Sequence, residues 1–317
     1  MKRFLPLLFL TALLAVLTPL VVGVRAAPTS PVPTTAPPSR WDGQRRFTVL
    51  IMGMDRRPRE KSSLSVRTDA ILLVSFNPAD DSIGVLHIPR DLHLAPLPDS
   101  VSDQLLRVNT LLLRGEEIQP GYGAYYMLDI VQYNLGMYID AFVAFDFDAF
   151  VKLVDLLGGI DITTSYTLSD PTYPDMNYGF DPFYLPAGAH TLDGATALKF
   201  ARTRHGDNDY LRGIRQMQVL TAIGEKATRP DVLPGLITGA PQLLADFQRD
   251  IVTDLGTAEA VQLALYAARL PLENIITGAI NEQYITYFFQ PGGSVAIPDR
   301  GTLAELMARV FGPDYAG

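Results

Sequence analysis

Two kinds of hydrophobic pattern run along the chain. Continuous apolar runs at Phe47–Met54 and residues 70–76 predict buried strands. Asn77-Pro78-Ala79-Asp80-Asp81-Ser82 is turn chemistry, and residues 83–88 resume strand character, which predicts a hairpin. Residues 101–113 and 124–135 read as helices. Residues 139–145 suit a strand, and Asp146 suits the N-cap of the helix that follows. Phe147, Phe150, Val151, Val154 and Leu157 then make one apolar helix face, which Gly158-Gly159 ends. Residues 160–163 start another strand. Residues 165–185, dense in aromatic residues and Pro, read as a long surface loop. Residues 192–201, 210–227, 258–269 and 302–311 predict helices, and 274–279 a strand. Strands that alternate with helices imply an α/β fold, a three-layer α/β/α arrangement. The hairpin makes its central sheet mixed.

The first residues follow another pattern. Lys2 and Arg3 precede an uncharged apolar run over residues 4–24, long enough to cross a bilayer of ~30 Å. Positive charge ahead of such a run keeps the N-terminus inside and sends the rest outward. Residues 1–25 therefore read as a single-pass membrane anchor. A cleaved signal peptide is the alternative, because Val24-Arg25-Ala26 resembles a small-residue cleavage site. On either reading the body is exported. Residues 28–39 are rich in Pro, Ser and Thr and cannot bury a core, so residues 26–44 read as a spacer. The body, residues 45–317, reads as one extracytoplasmic domain without internal repeats.

Composition narrows the function classes. The chain has 317 residues, 48% apolar, with 26 basic against 34 acidic side chains for a net charge of −8. Nucleic-acid affinity comes from clustered positive charge, so a nucleic-acid partner is disfavoured. Absence of cysteine excludes a disulfide framework, thiolate metal sites and a cysteine nucleophile. The basic residues divide into 21 Arg and 5 Lys. A GC-rich genome accounts for some such excess. Arginine's planar fork, which grips carboxylate or phosphate bidentately, is the other cause. Arg56, Arg57, Arg59 and Arg67 crowd one segment, and Arg202, Arg204, Arg212 and Arg215 another.

Four motifs combine charge with a strand or helix end, where ligand sites of open α/β sheets lie. Gly53-Met54-Asp55-Arg56 ends the first strand. Arg67-Thr68-Asp69 precedes the second. Ile88-Pro89-Arg90-Asp91 ends the hairpin. Arg202-Thr203-Arg204, Asp207, Asp209, Arg212, Arg215 and Gln216 make the densest group, with Arg212 and Gln216 on one helix face. Each alone also reads as a turn or a structural ion pair.

In order and spacing, these motifs resemble the LytR-CpsA-Psr (LCP) family over about residues 47–225. Val108-Asn109, Asp146-Phe147-Asp148 running into Leu157-Gly158-Gly159, and Leu185-Pro186-Ala187-Gly188 resemble it as well. Met217 departs from the family's second Gln, and residues 111–114 are less Ala- and Gly-rich than usual. The resemblance implies an envelope enzyme that moves a glycopolymer from a polyprenyl-pyrophosphate carrier to a wall acceptor such as peptidoglycan. It implies Asp55 and Asp69 as ligands of Mg²⁺ or Mn²⁺. By the same correspondence, Arg67, Arg90, Arg202 and Arg204 contact pyrophosphate, and Arg56, Asp209, Arg212 and Gln216 complete the pocket. Asp91 and Asp209 orient arginines. Phosphoryl transfer is mostly positioning and charge neutralisation, which such residues supply. Two rival readings use the same residues: a hydrolase with water as acceptor, and a binding or regulatory module without transfer.

Overall fold

The computed structural model describes residues 41–56, 65–98, 104–175, 179–203, 209–227, 229, 231–232, 250–290 and 293–316. In chain order these form β1 (Phe47–Met54), β2 (Thr68–Asn77), β3 (Ser82–His87), β4 (His93–Leu94), β5 (Leu106–Arg107), α1 (Leu111–Ile118), α2 (Gly123–Leu135), β6 (Ala141–Asp146) and α3 (Phe147–Leu156). Then follow β7 (Ile160–Thr164), β8 (Leu168–Asp170), β9 (Phe183–Leu185), β10 (Gly188–Leu192), α4 (Gly194–Arg202) and α5 (Asp209–Ala227). The last are β11 (Ile251–Thr253), α6 (Thr257–Arg269), β12 (Ile275–Ala279), β13 (Ile285–Gln290), β14 (Gly293–Pro298) and α7 (Arg300–Phe311).

These residues divide into two compact units. One holds Phe147–Asp250 with Leu263–Leu272, and the other holds the described residues through Asp146 with Ile251–Gln262 and Glu273–Gly317. The second unit contains a six-stranded sheet in the order β11-β6-β1-β2-β3-β12. β1 is parallel to β6 and antiparallel to β2, and β12 is parallel to β3. The sheet is therefore mixed, as the turn at residues 77–82 implied. One face presents Leu50, Met52, Ile71, Leu73 and Leu86 to a core shared with α1, α2 and α7. Val49, Ile51, Leu72 and Val74 on the other face are buried as well, which explains why β1 and β2 read as unbroken apolar runs. The folded body starts ahead of the expected boundary at residue 45. Trp41 is buried against Phe47 and Phe76, and its Nε1 donates to the Arg45 carbonyl.

In the other unit, β7 pairs with β10 and β8 with β9, both antiparallel. Gly194 lets α4 approach α3 closely, because a Cβ there would collide with the Val151 carbonyl. The Gly194 N–H donates to Asp155, and Asp193 caps α4 through the Thr196 N–H.

Several expectations are corrected. The helix expected over residues 101–113 starts only at Leu111. Leu106 and Arg107 instead pair with Leu94 and His93, and a single 3₁₀ turn leads into α1; residues 99–103 lie outside the described set. The loop expected at residues 165–185 contains the β8–β9 ribbon, whose alternate residues Leu168, Asp170, Phe183 and Leu185 are buried. Of the apolar face expected on α3, Val154 and Leu157 are buried, joined by Ala149 and Leu153, while Phe147, Phe150 and Val151 are only half-buried. Among the described residues no helix is long and apolar enough to cross a membrane; the run at residues 4–24 lies outside them.

One buried acid gives this fold a pH dependence. The Asp254 carboxylate accepts the Phe142 N–H at 2.8 Å beside β6, and burial pushes its pKa from 3.8 up to about 6. A raised carboxyl pKa gives stability that is complete below the unfolded value and is lost as pH rises through the folded one. Asp254→Asn keeps the acceptor and removes the buried charge. The variant is expected to gain on the wild type between pH 3.8 and about 6, reaching about 3 kcal/mol above that window. Urea unfolding of both proteins on either side of the window checks it. A gap independent of pH would refute the assignment.

Candidate functional site

In the sheet-containing unit the first three motifs converge at one end of the β1–β2 pair. Gly53 lies opposite Ala70 and Met54 opposite Thr68, with a register irregularity between them. A Cβ on Gly53 would stand 3.0 Å from the Ala70 Cβ, so glycine allows this close pairing. The strand pair thus delivers Asp55 and Asp69 to the same end. The Asp55 N–H donates to the Arg67 carbonyl at 2.8 Å, fixing the backbone where both leave the sheet. Arg67 itself is exposed.

β3 brings Arg90 to this end. Its Nη1 donates to Asp69 Oδ1 at 2.9 Å, and its Nε stands 3.5 Å from Asp91 Oδ2. The other Asp91 oxygen is 3.4 Å from Arg107 Nη1. The result is a row of alternating charges, Asp69, Arg90, Asp91 and Arg107. Sequence reasoning gave Arg107 no role, because only the two-residue β4–β5 pairing, His93 opposite Arg107, brings it to Asp91. Asn109 lies close by. Its N–H donates to the Arg90 carbonyl at 3.2 Å, and its Oδ1 is buried with no hydrogen-bond partner. An orphaned buried acceptor of this kind fits a site completed by a bound group.

Arg56, expected in the substrate pocket, is buried. It turns inward, with Nε and Nη2 donating to Asp146 Oδ2 at 3.1 and 2.6 Å, and the two side chains are 3% and 2% exposed. The pair joins the ends of parallel strands β1 and β6. Asp146, expected as a helix cap, thus carries a buried guanidinium.

In the other unit, Arg202 ends α4. Its guanidinium lies 4.1 Å above the Phe147 ring and donates to the Tyr173 hydroxyl at 3.1 Å. The antiparallel packing of α3 and α4 sets this stack, which explains why Phe147 is not core. Arg215 is fully buried and closes the C-terminal end of α4. It donates from Nε to the Phe200 carbonyl at 3.0 Å and from Nη2 to the Thr203 carbonyl at 2.6 Å. Cations favour that helix end. Thr203 also donates to the buried Asp170 at 2.7 Å. Arg212 is buried on α5 and Gln216 half-buried one turn later. Arg204 and the Asp209 side chain lie outside the described residues.

Among the described residues no group of three or more His, Asp or Glu side chains could hold a metal ion. Asp55 and Asp69 are two hard oxygen donors at one strand end. That fits a cation bound by one or two carboxylates plus substrate phosphate, the habit of Mg²⁺, and not an all-protein cage.

Fold and site together define an α/β protein with carboxylates and arginines gathered where sheet strands end. The LytR_cpsA_psr family model matches residues 26–298, and the chain belongs to that family. Over 256 residues it is 29% identical to the polyisoprenyl-teichoic acid–peptidoglycan teichoic acid transferase TagT of Bacillus subtilis, spanning 79% of this chain and 71% of TagT. It is 28% identical over 211 residues to the transferase of the same description, TagU, from Halalkalibacterium halodurans, covering 66% of this chain and 61% of TagU. The crystal structure of B. subtilis TagV superposes with a TM-score of 0.67 at 22% identity, covering 86% of this chain and 99% of that one. The fold is thus that of the family's solved members.

The Arg56–Asp146 pair gives a direct test of the inward orientation. Removing one partner of a buried pair strands the other charge, so Arg56→Met is expected to lose ~3–5 kcal/mol of stability. Replacing both, as Arg56→Met with Asp146→Leu, is expected to recover most of it. Denaturant unfolding measures both. Unchanged stability in Arg56→Met together with weakened substrate binding would return Arg56 to the substrate site.

Proposed function

We propose that this chain transfers a glycopolymer from a polyprenyl-pyrophosphate carrier to a cell-wall acceptor such as peptidoglycan. Membership of the family whose characterised relatives are named as teichoic acid transferases carries this reading. The apolar run at residues 4–24 serves as the membrane anchor and holds the catalytic body outside the cytoplasm.

In the reaction, an acceptor hydroxyl oxygen attacks the sugar-bearing phosphorus of the pyrophosphate. A new P–O bond forms, the bridging P–O bond breaks, and polyprenyl phosphate leaves with the bond's electron pair. The hydroxyl proton passes to a base. Arg90, oriented by Asp69 and Asp91, places positive charge against the non-bridging oxygens, where charge spreads in the transition state. Arg67 is exposed at the same end and adds to that field. Stacking on Phe147 fixes the plane of the Arg202 fork, which suits bidentate phosphate binding. By their place in the family motif, Arg204 contacts the pyrophosphate, and Arg212 and Gln216 support that contact. Asp55 and Asp69 would hold Mg²⁺ or Mn²⁺, which supplies further neutralisation of phosphate charge. Arg56 holds β1 to β6 instead of touching substrate.

Incubation of the full chain with a polyprenyl-pyrophosphate oligosaccharide and peptidoglycan tests the proposal. Phosphodiester-linked sugar on the peptidoglycan, with release of polyprenyl phosphate, is expected. Arg90→Ala should lower turnover at least ~10²-fold, as the loss of a transition-state charge contact does. Asp69→Asn should remove the response to added Mg²⁺ while the protein stays folded. Release of free sugar phosphate at the same rate with and without acceptor would overturn the transferase reading in favour of a hydrolase.

A further inference from the structure

The antiparallel hairpin β13–β14 lies outside the residues given a role above, and it exposes three consecutive aromatic side chains. Its root is fixed. Tyr284 and Ile285 pack against the core of the sheet-containing unit, the Asp299 N–H donates to the Tyr284 carbonyl at 2.9 Å, and Val295 is buried. Toward the tip, Tyr287, Phe288 and Phe289 are 49%, 52% and 88% exposed. Consecutive strand residues point to opposite faces, so both faces of the ribbon present aromatic rings to solvent. Their cross-strand partners are the smaller Ala296, Val295 and Ser294. No charged residue occurs between Glu282 and Asp299, in a chain where 19% of residues are charged. Single exposed apolar residues need no explanation, but three in succession on an uncharged finger mark an interaction site.

We propose that this hairpin is a membrane-docking finger whose aromatic tip enters the bilayer interface. The inference rests on the extracytoplasmic, membrane-held reading above. The sequence places a bilayer within reach: the apolar run ends at Val24, and the residues from there to Trp41 extend at most ~60 Å. Tyr and Phe combine an apolar body with tolerance of the headgroup region, and aromatic residues concentrate there. Among the described residues the ribbon pairs with no third strand, and its unpaired outer backbone limits entry to a depth of ~5–10 Å. Glu282 and Asp299 at the root mark where water resumes. The finger has no Lys or Arg, and the chain's net charge is −8, so anionic lipid does not drive the contact and a zwitterionic surface suffices.

The position of the finger bears on the substrate. β14 runs beside β4, and β4 follows directly on Arg90 and Asp91. A finger seated in the interface therefore sets the height of the Arg90 site above the membrane, where the pyrophosphate of a membrane-held carrier emerges. Docking spares the carrier from being drawn out of the bilayer.

The chain has no cysteine, so Phe289→Cys accepts a single environment-sensitive fluorophore. The labelled full chain is reconstituted in phosphatidylcholine vesicles with and without spin-labelled acyl chains. Flotation with the vesicles, a blue-shifted emission and quenching by the spin labels, all insensitive to salt, are the expected results. A chain that floats while the probe stays in water overturns the finger and leaves the anchor standing. A chain that does not float overturns both readings. Shielding that grows with protein density and ignores the lipid spin labels makes the occupant a second copy, and also overturns the proposal. The variant Tyr287→Ser/Phe288→Ser/Phe289→Ser provides the functional arm. With an unchanged melting temperature, it should lose turnover several-fold on long-chain carrier in vesicles and keep it on a short-chain carrier in detergent. Equal loss on both substrates would defeat the docking role.

Discussion

The buried pair between Arg56 and Asp146 is the constraint on which the geometry at the end of the sheet depends. Both side chains have left water, so each requires the other, and neither charge can be exposed without undoing the alignment of β1 with β6. Asp55 stands between two buried residues, Met54 and Arg56, and alone of the three keeps solvent access. Its N–H is held by the Arg67 carbonyl, so the start of β2 is fixed as well. Asp69 two residues on then meets Arg90 from the end of β3. A charge row at the strand ends is thus set by one ion pair that itself faces inward.

Much of this was legible in the amino-acid pattern, for a physical reason. β1, β2 and β3 are buried on both faces or nearly so, and such strands write continuous apolar runs. α2 and α7 are flanked by clear boundary signals, Gly136 after one and Asp299 before the other. What was not legible depends on pairing between distant, short segments. β4 and β5 have two residues each and carry no period. The β8–β9 ribbon hides its alternation among prolines and tyrosines. The β13–β14 hairpin went unread because alternation signals a strand only when one face is buried, and here Tyr287, Phe288 and Phe289 are exposed in succession. Arg107 reaches the site through one such short pairing, which no spacing in the sequence encodes.

The arginine excess divides by the same logic. A run of arginines beside strand and helix ends signals anion binding or internal support, and the sequence alone leaves both open. Arg56 and Arg215 are support. Each uses the fork to make two hydrogen bonds at once, to a single Asp146 oxygen in one case and to the last carbonyls of α4 in the other. Lysine, with a point charge on a flexible stem, could not span those carbonyls. Part of the arginine count is therefore architectural, whatever the codon bias behind it.

That division sharpens the chemistry left to the remaining arginines. Arg90 and Arg202 are each oriented by their neighbours, the Asp69 and Asp91 carboxylates for one and the Phe147 and Tyr173 rings for the other. A guanidinium held in this way is ordered by the fold itself. An unsupported fork would lose side-chain entropy on ordering. The buried arginines hold the strand and helix ends in place, so Arg90 and Arg202 are carried on a backbone already fixed by other members of the same residue type.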